Sequence, residues 1–258
     1  MRFTTTLAYL GVLSSGTYAI DLDVTNAAIW ALASLSAAEA NLSGNQDAPG
    51  WESLAITAFN ELARDWDEKS CGGGLRWQIS PFNEGYYYKS ALTTGYFFQL
   101  SSRLAKFRGN ATYSDWAIKS YQWSNGSGLI VNYNVFQGTS VRDCEEIDHN
   151  QWSDNAGTYI IGAAYMYNVT DGSSIWKSTL DGLLNKTLTT FFPDGIAKEL
   201  CEATGCPDSQ HIAKGIWIRN LVDTMSVAPY ISSVILPVVR TTAVAAGKAY
   251  DEKRYAFK

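Results

Sequence analysis

Tyr167-Asn168-Val169-Thr170-Asp171-Gly172 leads into Trp176, and the same arrangement occurs twice earlier, as Leu42-Ser43-Gly44-Asn45 before Trp51 and Phe107-Arg108-Gly109-Asn110 before Trp116. Each connection is built from Gly, Asn and Asp, the residue types that reverse a chain at low steric cost. Each Trp then stands near the start of a segment with apolar residues at helical spacing. The three tryptophans are 65 and 60 residues apart, so the unit that repeats is a helical hairpin.

Working outward, the spacing predicts helices over 27–42, 51–67, 88–107, 112–125, 150–168, 173–191, 209–226 and 229–248, which make four hairpins. No alternating run between turn signals is long enough to predict a sheet. The expected fold class is therefore all-α, with too few hairpins for the closed ring that such hairpins form. Two longer loops, 69–87 and 127–148, interrupt the helices. Loops of that length in a compact domain bind something or are stapled down. Cys71 lies in one and Cys144 in the other.

The chain has 258 residues, 46% of them hydrophobic and 17% charged, which favours a packed core over disorder. The net charge of −5 leaves no basic stripe for phosphates, so nucleic acid is excluded as a partner class. Residues 1–19 read as a secretory leader: Arg2, an apolar stretch from Leu7 to Leu13, then the small-x-small site Thr17-Tyr18-Ala19. The apolar run is shorter than the roughly 20 residues that span a bilayer, so no membrane span is expected. Residues 20–258 are expected to form one domain. Sequons at Asn41, Asn110, Asn125, Asn168 and Asn185 agree with secretion to the medium or the cell wall.

Four cysteines in an exported chain suggest two disulfides, with three connectivities open to four thiols. Cys201 and Cys206 enclose four residues, so a local bridge is the economical choice and leaves Cys71 with Cys144. No Cys-x-x-Cys pair is present, and His149 and His211 follow no ligand spacing, so neither a metal nor a cofactor is expected.

Chemistry concentrates in Cys71-Gly72-Gly73-Gly74-Leu75-Arg76-Trp77-Gln78-Ile79 and Asn83-Glu84-Gly85-Tyr86-Tyr87-Tyr88-Lys89. The glycines would let the backbone run close to a ligand, and aromatic faces beside amide and ammonium donors suit the CH face and hydroxyl edge of a sugar. No Gly-Lys-Ser/Thr or Gly-x-Ser-x-Gly motif competes with that reading. Acid chemistry on a glycosidic bond needs two carboxyl groups, about 5 Å apart for retention and further for inversion. The candidates are Asp65 and Asp67; Asp143, Glu145, Glu146 and Asp148; Asp154; and Glu199 with Glu202. Spacing does not choose between them.

Taken together, CGGGLRWQI at Cys71–Ile79, YYYK at Tyr86–Lys89, QWSDNAGTYIIGAAYMYN at Gln151–Asn168, FFPDGIAKELCE at Phe191–Glu202 and KGIWIRNL at Lys214–Leu221 resemble the fungal endo-1,6-α-mannanases of glycoside hydrolase family 76. The similarity runs in order over about residues 27–245. It implies an (α/α)6 toroid, here about four of six hairpins, and the α-1,6-linked mannan backbone or a mannose-bearing glycan as partner. Relatives include cell-wall transglycosidases acting on mannose-bearing glycolipid anchors. With the sugar-contact chemistry above, the resemblance points to Trp77, Gln78, Tyr86, Tyr88, Lys89, Trp152 and Asn155 as substrate-binding residues.

The departures are as specific as the match. The family's catalytic pair is two adjacent aspartates in a segment resembling Asn-Asp-Asp-Gln-Ala-Ile-Trp. Here Val24-Thr25-Asn26-Ala27-Ala28-Ile29-Trp30 matches it, with Thr25 and Asn26 at the aspartate positions and no catalytic residue in the chain. Neither side chain can serve as a carboxylate nucleophile or as an acid. The family's upstream region is also missing. Ile20–Asn26 resembles the mature start of a full-length member, so the expectation is an internal deletion near Asn26–Ala28, by exon skipping or a gene-model error. Tyr87 and Ser90 stand where Asp and Asn are usual, and Asp154 where Tyr is usual.

Overall fold

The computed structural model describes residues 23–207, 210, 212–251 and 256–257. The expected leader and His211 lie outside the described residues. Eight α-helices are present among those described: α1 Val24–Glu39, α2 Trp51–Arg64, α3 Ala91–Arg108, α4 Ala111–Gly126, α5 Ser153–Val169, α6 Ser174–Phe191, α7 Ala213–Val227 and α8 Ser232–Ala249. They pair in sequence as the four expected hairpins.

The turn chemistry shows why the boundaries fall where they do. Gly109 ends α3 in the left-handed region at φ 62°, where a β-carbon would be strained. Asn110 then starts α4, its carboxamide oxygen accepting from the Thr112 amide at 2.9 Å. Asp23 caps α1 by accepting from the Asn26 amide at 2.5 Å, and the Ser90 hydroxyl accepts from Leu92 N at 3.1 Å to start α3.

The chain divides into two compact units. The first runs to Ile130 and takes in Phe136–His149, holding α1–α4; the second comprises Val131–Val135 and the chain from Asn150, holding α5–α8. In the first unit α3 is the central helix, with Phe97, Phe98, Leu100 and Leu104 fully buried. Phe59 of α2 stacks on Phe97 at 5.4 Å between ring centres and meets Tyr113 of α4 edge-on at 4.8 Å. Arg103 of α3 reaches α1, donating to Ser36 Oγ at 2.8 Å and pairing with Glu39 at 2.5 Å.

The second unit is organised around α5, which buries Tyr159, Ile160, Ile161, Ala163, Ala164 and Met166. Trp217 of α7 is buried between Phe191 and Phe192 and lies against Gly157, where an added β-carbon would sit 3.0 Å from its ring. α8 differs from the rest: only Ile235 is buried, and Val234, Leu236 and Val244 face solvent. Pro229–Ala249 contains an 18-residue window with a mean hydropathy of 1.3 and is, among the described residues, the one helix long and apolar enough by length and composition to cross a membrane.

A small sheet was not expected. β1 (Tyr88–Ser90), β2 (Gly138–Ser140) and β3 (Asp143–Asp148) form an antiparallel sheet in the order β1-β2-β3, with Lys89 opposite Thr139 and a register shift between Thr139 and Ser140. These strands are too short for alternation to show in sequence, and β1 lies some fifty residues from its partner β2. Further two-residue strands occur at Ile130–Val131, Asn134–Val135, Tyr250–Asp251 and Ala256–Phe257. Both disulfides are present as expected: Cys71–Cys144 with α-carbons 5.3 Å apart and Cys201–Cys206 at 5.0 Å. The five sequon asparagines are all exposed, and Asn168 also donates through Nδ2 to the Val227 carbonyl at 3.1 Å.

Lys89 is the anchor of the first unit. Its side chain is 0% exposed, and its ammonium donates to the carbonyls of Asp67 at 2.8 Å, Ser70 at 2.6 Å and Gly73, with Asp67 Oδ2 at 3.4 Å. Three donors thus meet three acceptors that the 67–73 turn would otherwise bury unsatisfied. Lys89→Met keeps the stem but strands those carbonyls and removes one of the cations beside Asp67. We expect a loss of about 3–5 kcal/mol, checked by urea unfolding followed by tyrosine and tryptophan fluorescence.

Candidate functional site

The first unit contains a cleft of about 580 Å3. Trp66 and Tyr86 supply aromatic faces, Val24, Leu75 and Ile79 aliphatic wall, Arg76, Lys69 and Gln78 donors, and Asp65, Asp67 and Glu68 carboxyl groups. That mixture suits a polar ligand with apolar faces. The glycine run shapes it from behind. A β-carbon on Gly73 would sit 2.8 Å from Trp123 Cδ1, and one on Gly74 2.4 Å from the same ring. The sequence reading had these glycines approaching a ligand; Gly73 and Gly74 instead approach tryptophan. Trp123 locks the turn by donating from Nε1 to the Cys71 carbonyl at 2.8 Å.

Arg76 crosses the cleft. It donates from Nε to Asp67 Oδ2 at 2.9 Å and from its terminal nitrogens to the Tyr86 carbonyl at 3.1 Å and Ser70 Oγ at 3.2 Å, with its guanidinium 4.5 Å from the Tyr86 ring centre. Burial alone would raise the Asp67 carboxyl. The Ser70 hydroxyl, the charges of Lys89 and Arg76 and the Lys69 amide outweigh it and hold the group at about 2. Lys89 moves down to about 8, because burial costs its charged form more than Asp67 returns. Asp67, a candidate acid by sequence, is thus a fixed anion with a structural task.

Trp77, between the lining residues Arg76 and Gln78 but not itself part of the lining, is 39% exposed. Its amide donates to Tyr88 O at 2.8 Å, and its carbonyl accepts from Val24 N at 3.1 Å. The indole lies on Gly85, whose φ is 86° and whose added β-carbon would be 2.2 Å from the ring. The Trp77 backbone is therefore tied to the first turn of α1, where Thr25 and Asn26 follow Val24. Thr25 is buried, its hydroxyl 2.6 Å from that of Thr93.

The other expected contact residues are distributed as follows. Gln78 and Tyr86 line the cleft; Gln78 is buried and accepts from Asn83 Nδ2 at 3.2 Å. Tyr88 lies on β1 against Gly138, its phenol raised by burial and by the Asp148 carboxylate. Lys89 is beneath the surface with its donors spent on backbone carbonyls. Trp152 and Asn155 belong to the second unit, half-buried and buried respectively at the start of α5. Arg76 and Trp66, which line the cleft, were not singled out as contact residues; only their place beside the glycine run and Asp65 could have pointed to them.

The remaining carboxyl candidates separate as well. Asp143, Glu145, Glu146 and Asp148 lie along β3. In the second unit, Glu199 accepts from the amide and hydroxyl of Ser153. Asp154, the neighbour of Ser153, is raised to about 6 by burial, against the lowering effect of backbone amides. Glu199 is raised by burial first, with the charges of Asp154 and Glu202 adding to it. Glu202 pairs with Lys214 at 2.6 Å.

Comparison with known proteins places this architecture. The model of Glycosyl hydrolase family 76 matches residues 15–256. The chain belongs to glycosyl hydrolase family 76. A Schizosaccharomyces pombe member is 45% identical over 227 residues, 86% of this chain and 51% of its own. Mannan endo-1,6-alpha-mannosidase DCW1 of Saccharomyces cerevisiae is 39% identical over 229 residues, again covering 86% of this chain and 51% of its own. The crystal structure of Dfg5 from Chaetomium thermophilum in complex with glucosamine is similar with a TM-score of 0.84 and 35% identity, covering 87% of this chain and 57% of that one. The chain thus spans about half the length of the curated relatives it matches, and its four hairpins belong to the family's α/α fold.

Two outcomes follow for the site of this family 76 chain. Gly85→Ala should displace the Trp77 indole and cost about 1–3 kcal/mol. In the nitrogen–proton spectrum, the indole cross-peak identified by Trp77→Phe should be the one that moves most. Asp67 also sets an acid limit. Its folded pKa of about 2 lies below the ordinary 3.8, so its contribution is complete above about pH 4 and is lost as pH falls toward 2. Replacing Asp67 with Asn should flatten the thermal stability profile across that window.

Proposed function

We propose that this family 76 chain recognises the α-1,6-linked mannan backbone through the cleft of its first unit, and that its hydrolytic activity is lost or nearly lost. The substrate class follows the relatives, since DCW1 is a mannan endo-1,6-alpha-mannosidase and an α-1,6-mannanase from Salegentibacter is known in complex with α-1,6-mannotriose. Trp77 serves as the stacking platform, with Gln78 and Tyr86 beside it. Tyr88 sits behind Trp77 on β1, its carbonyl accepting from the Trp77 amide. The exported setting is the medium or the cell wall, in keeping with two disulfides and five exposed sequons.

The observation that carries the loss of hydrolysis is the first turn of α1. By resemblance, Thr25 and Asn26 match the family's aspartate pair; Thr25 is hydrogen-bonded to Thr93, and no two aspartates are adjacent anywhere in the sequence. The Salegentibacter enzyme with two consecutive aspartates changed to asparagine is an inactive variant. Without the pair, no group protonates the leaving oxygen and none attacks the anomeric carbon. General acid catalysis alone typically contributes about 10²- to 10⁴-fold. The cleft supplies no substitute pair: of its three carboxyl groups Asp67 is engaged by Arg76, Ser70 and Lys89, Glu68 pairs with Lys119 at 2.7 Å, and Asp65 is left as a single carboxyl where the reaction needs two.

Release of reducing ends from α-1,6-mannan tests the proposal. The chain as it stands should give a rate at or near background. A form carrying two further hairpins and the Asp-Asp pair should be active. Comparable turnover in both would show that the catalytic residues lie elsewhere. Binding of α-1,6-mannotriose that is unchanged by Trp77→Ala would remove the stacking role.

A further inference from the structure

Asp65 is held in a place that works against its charge. It forms the C-cap of α2, its amide donating to the Glu61 carbonyl at 3.0 Å, so its carboxylate sits at the negative end of the helix. It is half-buried in the wall of the cleft. Burial raises its pKa, and the charge of Arg64 returns only part of that. Arg64 itself pairs with Glu61. Among the described residues, nothing donates a hydrogen bond to the Asp65 carboxylate. Its cleft neighbours are different: Asp67 is held by Arg76, Ser70 and Lys89, and Glu68 by Lys119. Gln78, in the same cleft, spends its side-chain oxygen on Asn83 and leaves its NH2 without a partner among the described residues.

A half-buried anion at a helix C-terminus, with no protein donor, lowers stability, and native chains keep such groups where a ligand supplies the missing partner. We propose that Asp65 is the ligand-binding carboxylate of the cleft, accepting hydrogen bonds from hydroxyl groups of a sugar while Gln78 donates to a sugar oxygen. A carboxylate offers two acceptor oxygens, which match a pair of neighbouring hydroxyls, and the parts of Trp66 and Tyr86 that line the cleft supply apolar surface beside them. Asp65 thereby sets the specificity of the cleft for polyhydroxylated ligands. This assignment rests on the mannan reading above and names the residue that reads the hydroxyls.

The test joins affinity to stability, since a merely structural carboxylate would lower both when replaced. Calorimetric titration of the full chain with α-1,6-mannotriose is compared for wild type, Asp65→Asn and Trp77→Ala, with thermal unfolding of each. Asp65→Asn should weaken binding at least tenfold while Tm stays level or rises. Unchanged affinity in Asp65→Asn, with binding lost in Trp77→Ala, would overturn the role of Asp65 and leave the mannan reading standing. Failure of wild type to bind mannotriose would overturn the mannan reading instead. Unfolding then decides for Asp65: a fall in Tm overturns the proposal, and a level or higher Tm supports it.

Discussion

The ammonium of Lys89 is the point on which the first unit depends. A buried cation is costly unless its protons are all accepted, and here three backbone carbonyls of one turn and the Asp67 carboxylate meet it. The turn in exchange gains partners for carbonyls that its tight path hides from water. Removing either side exposes the other to a desolvation cost with no return, so the two are obligate neighbours. β1 carries Lys89 and is paired to β2, which passes the same constraint on to the sheet.

From that anchor the cleft follows. Asp67, fixed by Lys89, fixes Arg76; Arg76 reaches the Tyr86 carbonyl and lies over the Tyr86 ring. The next residue, Trp77, is tied through its backbone to Tyr88 and to Val24. Polar groups that looked interchangeable in sequence thus divide into those consumed by the frame and those left over. The frame takes Lys89, Asp67 and Arg76. Asp65, the Gln78 amide and the indole of Trp77 remain at the surface the frame creates.

The helices were legible because their ends carry local chemistry. Phe107-Arg108-Gly109-Asn110 holds both a left-handed stop and an N-cap, so four residues specify where α3 ends and α4 begins. The cysteine pairs were legible from spacing and elimination. The sheet was not: β1 and β2 are three residues each and some fifty residues apart, and β3 pairs with β2 through a register shift that breaks any alternation. The role of Lys89 was misplaced for the same reason: ammonium groups are ordinarily solvated, and only the tertiary path of the 67–73 turn reveals acceptors inside. Gly73 and Gly74 show the converse. Their conformational freedom was anticipated, but what presses on them is tryptophan from α4, a contact no local pattern encodes.

The Cys71–Cys144 bond closes a segment with a sequence separation of 73. Confining that much chain before folding removes conformational entropy from the unfolded ensemble equivalent to about 4 kcal/mol in the chain-entropy account. That is a large share of the 5–15 kcal/mol by which domains ordinarily stay folded. The redox state of the compartment therefore acts as a thermodynamic switch on the first unit. A chain synthesised without an oxidant would hold the same contacts against a far larger set of competing conformations, and the cleft would be populated only in proportion.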